Sequence, residues 1–376
     1  MINLAYFLDT LDYGGTELNA VRTAESLDPS RIRLHVVHVH QDGPLLDRYR
    51  GLSVPMRHLP FRSLAGPDFW NRGRELRRIL QEWRIDVFHS HDLYGNMFGV
   101  PWARLAGVPA VVASRRWWDS TPRRSHRLAN RWASRLAHYV TANSAAVGRL
   151  VVAEGIAESR LRVFPNFIEP DAFHPQPAEW KRASLEALGV PRGALVIGTV
   201  GRLEPVKDQA SLLRAFARLT GAGAHAHLVL IGDGSARPML ESLAGELGIA
   251  SRAHFAGARP SRPNSYQLFD IAALPSLSEG FPNSLVEAMA AGCAPIATPV
   301  GGVTEAITPM ESGLLVPVGD VAALAAALQR LVDDPAERAR LGSAAKDRAR
   351  ALFDRDTVIA SLTDWYCSLV PPPRQG

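Results

Sequence analysis

The chain has 376 residues, is 47% hydrophobic and carries a net charge of +5, which predicts two well-packed globular domains. Its two cysteines, Cys293 and Cys367, offer neither a disulfide framework nor the spacing of metal ligands, so we expect a reducing, cytoplasmic setting. No stretch approaches the apolar length of a membrane-spanning helix, and residues 2–9 predict a first strand rather than a signal peptide.

Strand-like runs alternate with helical patterns along the whole chain. In the first half the further predicted strands are 34–39, 86–89, 110–113 and 139–142. In the second half they are 194–200, 228–231, 271–274 and 294–298. Such alternation indicates right-handed βαβ units and parallel sheets. We therefore expect an α/β protein with two Rossmann-like domains that face one another across a central cleft.

The alternation lapses between residues 169 and 192, where four prolines accompany one short helical run. Prolines in an irregular stretch are typical of a linker between domains. The sequence therefore predicts an N-terminal domain of residues 1–168, a linker of residues 169–192 and a C-terminal domain of residues 193–356.

Two glycines and two histidines follow predicted strands in the first half. Gly14 and Gly15 precede a helix, so their N–H groups could approach a phosphate or a sugar, although a plain structural turn fits equally well. His89 and His91 are two positions apart and therefore share a face, and we expect one of them to reach the cleft. A hydrogen-bonded core histidine is the alternative interpretation for either residue.

Three more histidines, His35, His38 and His40, cluster on one predicted strand. Metal binding there is conceivable, but no carboxylates accompany the histidines as a coordination set. We therefore predict no metal site and no bound cofactor.

The basic charge is concentrated in the first half. Residues 1–170 contain 23 arginines and no lysine against 16 acidic residues, so the remainder is slightly acidic. The densest segment is Arg115–Arg135, where arginines alternate with Trp117, Trp118 and Trp132. This mixture suits an anionic membrane surface, a lipid-linked phosphate or nucleic acid, and of these we predict the membrane and not nucleic acid. The alternative is a solvated arginine-rich helix whose tryptophans pack into the core.

In the second half, the predicted strand 194–200 ends in a glycine turn and leads to a helical pattern over residues 209–219. Ligands of open α/β sheets bind at such strand ends. Arg202 and Lys207 flank the turn, so both could meet a diphosphate, although either could be an ordinary surface charge. The dinucleotide fingerprint G-x-G-x-x-G is absent, which disfavours a dehydrogenase.

Two carboxylates, Glu279 and Glu287, stand eight positions apart around a predicted helix start. Asn283 is predicted as the N-cap and Gly292 as the residue after the helix, so Glu287 would lie in the first turn. Such a pair suits the hydroxyl groups of a polyol, and the nearby backbone N–H groups suit a phosphate. The alternative is that Glu287 only complements the helix dipole and Glu279 is a solvated loop residue.

These motifs together resemble the retaining glycosyltransferases of family 4. In the second half the resemblance rests on Glu279 with Glu287, Gly201-Arg202 to Lys207, and the segment Gly292–Gly302. In the first half it rests on the segments Gly14–Glu17, His89–His91 and Thr141–Ser144. The sequence differs from the family at Phe167 and Asp208, where glycine is common.

The resemblance implies a GT-B architecture in which the C-terminal helix, about residues 357–376, packs back on the first domain. It implies a metal-independent, retaining enzyme whose co-substrate is a nucleotide diphosphate sugar. The catalytic residues would be His91, Arg202, Lys207 and Glu279. The donor-binding set would be Gly14, Gly15, Arg202, Lys207, Glu279, Gly280, Phe281, Pro282, Asn283, Leu285 and Glu287.

By the same resemblance, His91 would lie beside the anomeric carbon, Glu279 would bind sugar hydroxyls and Glu287 the ribose. Arg202 and Lys207 would stabilise the departing diphosphate. We expect a UDP-hexose donor and a glycan, glycolipid or polysaccharide-precursor acceptor, at the inner face of the cell membrane. Two alternatives are a nucleotide-sugar 2-epimerase, for which no acid and base around C2 are identified, and a non-catalytic nucleotide-sugar-binding protein.

Overall fold

The computed structural model describes residues 1–12, 14–61, 64, 66–116, 124–219, 221–258 and 262–370. The chain divides into two compact units. The first comprises Met1–Asn166 together with the C-terminal segment from Asp356, and the second comprises Phe167–Arg355.

The first unit is built on a parallel sheet that has seven strands within the described residues. The strands are β1 Ile2–Leu8, β2 Ile32–His38, β3 Met56–His58, β4 Val87–Ser90, β5 Ala110–Arg115, β6 Tyr139–Ala142 and β7 Leu161–Val163. Their order is β3-β2-β1-β4-β5-β6-β7. In the centre of the sheet, Leu4 pairs with Leu34 on one side and with Val87 on the other. The order reverses beside β1, so the ends of β1 and β4 form the place where ligands of such sheets bind.

Helices cover both faces of this sheet. They are α1 Gly15–Ser26, α2 Leu46–Gly51, α3 Gly66–Glu82, α4 Leu93–Leu105, α5 Arg124–Leu136, α6 Ala145–Ala153 and, at the C-terminus, α15 Arg355–Ser368. Successive residues of β1 point to opposite faces: Tyr6 packs with Tyr49 of α2 and Tyr366 of α15, whereas Phe7 packs with Phe98 of α4. The hydrophobic cores of both faces therefore meet at β1.

The second unit has a six-stranded parallel sheet, counted over the part of the chain that is described. Its strands are β8 Leu195–Val200, β9 Ala226–Ile231, β10 Ala253–Phe255, β11 Ile271–Leu274, β12 Ala294–Ala297 and β13 Leu314–Leu315. Their order is β10-β9-β8-β11-β12-β13. The accompanying helices are α7 Ala178–Glu186, α8 Gln209–Phe216, α9 Arg237–Glu246, α10 Arg262–Ser265, α11 Asn283–Ala290, α12 Val303–Ala306, α13 Val321–Asp333 and α14 Pro335–Phe353.

The segment 169–192, predicted as a linker, contains a 3₁₀ turn at Pro170–Phe173 and the helix α7, and it groups with the second unit. Its proline-rich pattern does not prevent structure because Pro170 occupies the first position of the turn, where its missing N–H is not needed. The C-terminal helix α15 adds Leu362 and Tyr366 to the core of the first unit.

Candidate functional site

In the second unit, the loop after β8 is held against the end of β9 by backbone hydrogen bonds. Gly201 N–H donates to Ile231 O at 2.9 Å, and Leu203 N–H donates to Asp233 O at 3.0 Å. A Cβ on Gly232 would lie 1.8 Å from the Gly201 carbonyl oxygen, so only glycine permits this approach. The loop with Arg202 and Lys207 therefore has a fixed path.

A cavity of about 190 Å³ opens at these strand ends. It is lined by Val200, Gly201, Arg202, Ile231, Gly232, Asp233 and Ala258. The Arg202 side chain is exposed, and its carbonyl oxygen accepts a hydrogen bond from Gln209 Nε2 at 3.0 Å. The cavity therefore offers glycine backbone between an exposed cation, Arg202, and an exposed carboxylate, Asp233.

Lys207 and Glu279 form an ion pair in which Lys207 Nζ lies 2.6 Å from Glu279 Oε1. Ser276 Oγ donates to the same carboxylate oxygen at 2.7 Å. The Glu279 side chain is only 9% exposed and that of Lys207 is 25% exposed. The two loops are also joined by the Leu277 N–H, which donates to Val206 O at 2.9 Å. Glu279 is therefore not the solvated loop residue of the alternative interpretation.

The turn between Lys207 and α8 explains why the sequence can differ from the family at Asp208. Asp208 adopts the left-handed conformation, with φ 47° and ψ 40°, in which glycine is most favoured. Its side chain caps α8 by accepting a hydrogen bond from Ser211 N at 3.3 Å. Aspartate tolerates this conformation better than most residues and adds the cap, so the turn is preserved without glycine.

The helix α11 begins one residue away from the predicted cap. Asn283 was predicted as the N-cap, but Pro282 occupies that position, because its carbonyl oxygen accepts from the N–H groups of Leu285 and Val286. Glu287 consequently lies in the second turn and not in the first. It is 7% exposed. Gly292 has φ +83° after the helix, as its predicted role requires.

Other residues of the predicted donor-binding set fix the loop before α11. Phe281 and Leu285 are buried in one hydrophobic cluster, and the Phe281 ring packs edge-on against Phe353. A Cβ on Gly301, whose φ is +52°, would lie 1.8 Å from the Glu279 carbonyl oxygen. Gly280 O accepts a hydrogen bond from the N–H of Gly302 at 3.2 Å. These contacts hold the Glu279 backbone in place.

In the first unit, His89 is a hydrogen-bonded core residue. Its Nδ1 lies 2.5 Å from the Tyr366 hydroxyl and its Nε2 lies 2.7 Å from Ser114 Oγ. Burial lowers the pKa of His89 well below its usual range, so the ring is neutral at pH 7.

His91 has a different environment, although its ring lies 4.3 Å from that of His89. It is 1% exposed, yet neither ring nitrogen has a hydrogen-bond partner among the described residues. Burial lowers the pKa of His91 well below its usual range, and electrostatic interactions with the nearby His89 and Arg116 lower this pKa further. A buried imidazole with both nitrogens unused is rare in cores. Of the two described histidines in this state, His35 lies within β2 whereas His91 follows the end of β4, so His91 is the better candidate for contact with a ligand.

Gly14 and Gly15 lie where the sequence places them, before and at the start of α1. Gly14 is the N-cap residue and no side chain caps the helix. A Cβ on Gly14 would lie 2.0 Å from Glu17 Oε2, so the carboxylate folds over this turn. Burial, with Asp9 and Asp12 nearby, raises the pKa of Glu17. The Glu17 carboxylate, to which the sequence motif Gly14–Glu17 assigned no role, disfavours binding of an anion at the start of α1.

Asp92 was also missed, although its place directly before α4 is typical of a helix cap. Its Oδ1 accepts from Gly95 N at 2.5 Å and its Oδ2 accepts from Asp9 N at 2.8 Å. Burial and the charge of Asp9 raise the pKa of Asp92 to about 7.

The histidines of β2 are not gathered around a common point. His38 stacks on His58 and its Nδ1 lies 2.8 Å from His40 O, while His35 packs against Trp83. Among the described residues there is no group of three histidine, cysteine or acidic side chains arranged to hold a metal ion.

The basic segment Arg115–Arg135 is described in part, since residues 117–123 with Trp117 and Trp118 lie outside the described residues. In α5, the side chains of Leu128 and Trp132 are 66% and 59% exposed. Trp132 therefore does not pack into the core, contrary to the alternative interpretation. Within the part of the chain that the structure describes, no helix is long and apolar enough to cross a membrane.

Known proteins resemble both halves of the chain. The family described as "Glycosyl transferases group 1" matches residues 181–348, and "Glycosyltransferase Family 4" matches residues 13–172. The 2-deoxystreptamine glucosyltransferase of Streptomyces kanamyceticus is 32% identical over 279 residues, which are 70% of this chain and 72% of that protein. The D-inositol 3-phosphate glycosyltransferase of Stackebrandtia nassauensis is 30% identical over 384 residues, 90% of this chain and 84% of that protein.

Solved structures share the fold. The structure of HepE from Anabaena in complex with UDP-glucose has a TM-score of 0.86 and 22% identity, covering 98% of this chain and 100% of that chain. Sucrose-phosphate synthase from Thermosynechococcus elongatus has a TM-score of 0.81 and 19% identity, covering 98% and 99%.

Proposed function

The chain belongs to glycosyltransferase family 4 and has the GT-B fold, and on this premise we propose that it transfers a hexose from a UDP-hexose to an acceptor hydroxyl with retention of configuration. The observation that carries the proposal is the Lys207–Glu279 pair in the second unit, in which the carboxylate is only 9% exposed. A partly buried pair is a weak source of stability, whereas one held on the loops that follow β8 and β11 suits binding of a polar ligand.

The charges of the second unit suit the two parts of such a donor. Lys207 uses one of its three N–H donors on Glu279, so the others can meet a diphosphate, as can the exposed Arg202. Glu279 Oε2 accepts no hydrogen bond from the described residues and can accept one from a sugar hydroxyl. We propose that the Glu287 carboxylate binds the ribose hydroxyl groups of the donor. UDP is favoured because HepE, a structure of the same fold, holds UDP-glucose.

We propose that Lys207 and Arg202 stabilise the negative charge that develops on the departing diphosphate, in the role that a metal ion has in other transferases. A preorganised donor of this kind lowers a barrier by about 3 kcal/mol. We propose that His91 of the first unit binds the sugar through its ring nitrogens, which have no hydrogen-bond partner among the described residues. No cofactor enters this scheme.

The acceptor is proposed to be a hydroxyl-bearing glycan, glycolipid or polysaccharide precursor. The relatives are named for 2-deoxystreptamine and D-inositol 3-phosphate, so both compounds belong in an acceptor screen. We do not favour a 2-epimerase, because the relatives reported above are named as glycosyltransferases. An acid and a base placed around the C2 atom of the sugar are also not identified.

We also propose that the exposed face of α5 contacts anionic lipid at the inner face of the cell membrane. Leu128, Trp132 and Arg135 are exposed and lie on one side of the helix, with Arg127 exposed beside them. The double variant L128S/W132S should sediment less with vesicles of phosphatidylglycerol than the wild type does. Vesicles of phosphatidylcholine provide the control, and equal sedimentation of both proteins with the anionic vesicles would refute this contact.

The donor is tested by thermal shift with UDP, GDP and ADP, because a ligand that binds the native state raises its apparent stability. UDP should raise the Tm most, and the shift should be smaller in E287Q if Glu287 binds the ribose. A larger shift with GDP or ADP would replace UDP as the proposed nucleotide.

A further inference from the structure

Asp92 connects two elements that carry candidate site residues of the first unit. Its carboxylate accepts hydrogen bonds from two backbone N–H groups. Oδ1 accepts from the Gly95 N–H and so caps α4, and Oδ2 accepts from the Asp9 N–H at 2.8 Å. Asp9 is the first residue after β1, where the chain turns toward Gly14. Asp92 itself directly follows His91. One side chain therefore links the start of the glycine loop to the segment that holds His91.

The surroundings leave this carboxylate little freedom. A Cβ on Gly95 would lie 2.9 Å from Asp92 Oδ1 and 2.7 Å from Ser90 Oγ, so the helix start packs tightly on it. The Asp9 carbonyl oxygen lies 2.7 Å from His40 Nδ1 and also accepts the N–H of His40 at 3.1 Å. The loop start is thus held on one side by the chain after β2 and on the other by Asp92.

A helix cap alone does not require aspartate. Serine, asparagine and aspartate cap about equally well, because each needs only one oxygen for the N–H of the first turn. The second oxygen of Asp92 serves Asp9, and an asparagine would present an NH₂ group to one of the two N–H donors. The use of both oxygens distinguishes this residue from an ordinary cap.

We propose that Asp92 is a positioning residue for glycosyl transfer: it fixes the Gly14–Gly15 loop relative to His91 through the Asp9 N–H. The inference rests on the proposed function for the role of His91, and on the donor-binding role that the resemblance implies for Gly14 and Gly15. The effect is on geometry within the first unit, so nucleotide binding by the second unit should not change.

The chain contains a matched control at the opposite end of the same strands. Asp86, just before β4, accepts the N–H of Asn3 in β1 through Oδ2 at 2.7 Å. D86N replaces the carboxylate acceptor by an amide in the same kind of bond between β1 and the β4 segment, but at the opposite end of these strands, away from Gly14 and His91. Its effect measures what such a bond contributes to the fold alone.

The experiment compares D92N, D92S and D86N with the wild type by three measurements. Amide hydrogen exchange should be faster over residues 9–17 in D92N and D92S, and unchanged there in D86N. UDP release from UDP-glucose should fall roughly ten- to a hundredfold in both Asp92 variants, as expected for misplaced groups, and less than twofold in D86N. The Kd of UDP should stay within twofold in every variant.

Amide exchange over α4, residues 93–105, shows whether this helix stays formed in D92N and D92S, so that loss of the cap is distinguished from loss of the Asp9 bond. Unchanged exchange over residues 9–17 in D92N would overturn the inference, and so would a rate equal to that of D86N. If the wild type neither binds UDP nor releases it from UDP-glucose, the proposed donor fails. The exchange measurement still decides whether Asp92 holds the loop.

Discussion

At the scale of single residues, the Lys207–Glu279 pair has the strongest physical basis. Glu279 is almost completely buried and depends on Lys207 Nζ and Ser276 Oγ for compensation of its charge. Removing one partner of a buried pair leaves the other charge uncompensated, which costs about 3–5 kcal/mol. The pair is therefore expected to be sensitive to substitution in both activity and stability.

We predict that K207A lowers UDP release from UDP-glucose by roughly a hundred- to a thousandfold, since it removes a donor to the departing diphosphate. K207R should keep part of the rate, because the charge remains but the planar fork fits differently. K181A is the matched control: Lys181 pairs with Asp270 at 3.4 Å in the same unit, outside the loops of the site. Equal rates for K207A and K181A would remove the catalytic role of Lys207.

A second prediction concerns Asp92 and pH. Its folded-state pKa of about 7 is raised above the ordinary aspartate value of 3.8 by burial, by Asp9 and by Glu17. Between these two values the folded state binds more protons than the unfolded state, so this group makes the free energy of unfolding fall as pH rises from 4 to 7. In D92N the free energy of unfolding should decrease less between pH 5 and pH 7.5 than it does in the wild type, as measured by urea denaturation. An identical pH dependence in wild type and variant would contradict the assignment.

At the scale of elements, glycines allow the loops of the second unit to approach one another. Gly301 lies against the Glu279 carbonyl oxygen, and Gly232 lies against that of Gly201. Each glycine brings the end of one strand toward the loop that follows another. The positions of Lys207 and Glu279 thus depend on residues that carry no functional group.

We predict that G301A reduces both stability and UDP release, because its Cβ would lie 1.8 Å from the Glu279 carbonyl oxygen. The matched control is G319A, whose φ of +73° is equally unfavourable for alanine but whose Cβ would meet nothing within 4 Å. In G319A the free energy of unfolding should fall by only about 1 kcal/mol, which is the cost of alanine in a left-handed conformation, and the rate of UDP release should not change. The two variants are compared by thermal unfolding and by UDP release. A rate for G301A as high as that of G319A would contradict the importance of this contact.

The longer strands and the Glu279 motif could be predicted from the sequence, whereas short-range details could not. The predicted strands all form, with ends that differ by no more than two residues. The strands that were missed, β3, β7, β10 and β13, have two or three residues and lie at sheet edges, where too few positions show a pattern. The N-cap at Asn283 was wrong by one residue, since cap preferences do not determine which carbonyl starts the helix.

The contacts that distinguish His89 from His91 could not be predicted, because both follow the same pattern. Their difference depends on Ser114 and Tyr366, which reach His89 from distant parts of the chain. The contribution of Asp92 was missed for a related reason. A cap can be predicted from its place before a helix, but its second bond joins residues 83 positions apart.

At the scale of the whole molecule, the two units have different chemical character. The second unit contains the features that suit a nucleotide sugar. They are the cations Arg202 and Lys207, the buried acids Glu279 and Glu287, and the cavity at the ends of β8 and β9. The first unit contains the His91 imidazole, for which the described residues provide no hydrogen-bond partner, a glycine turn covered by Glu17 and the exposed apolar side chains of α5. The local cations Arg202 and Lys207, and not the net charge of the unit, are the basis for proposing donor binding by the second unit.

The most direct test of this account is the release of UDP from UDP-glucose by the wild-type protein with EDTA present, without acceptor and then with 2-deoxystreptamine or inositol 3-phosphate. We predict UDP release that continues in EDTA and rises when an accepted hydroxyl compound is added. Absence of UDP release under all these conditions, with the protein folded, would contradict the account.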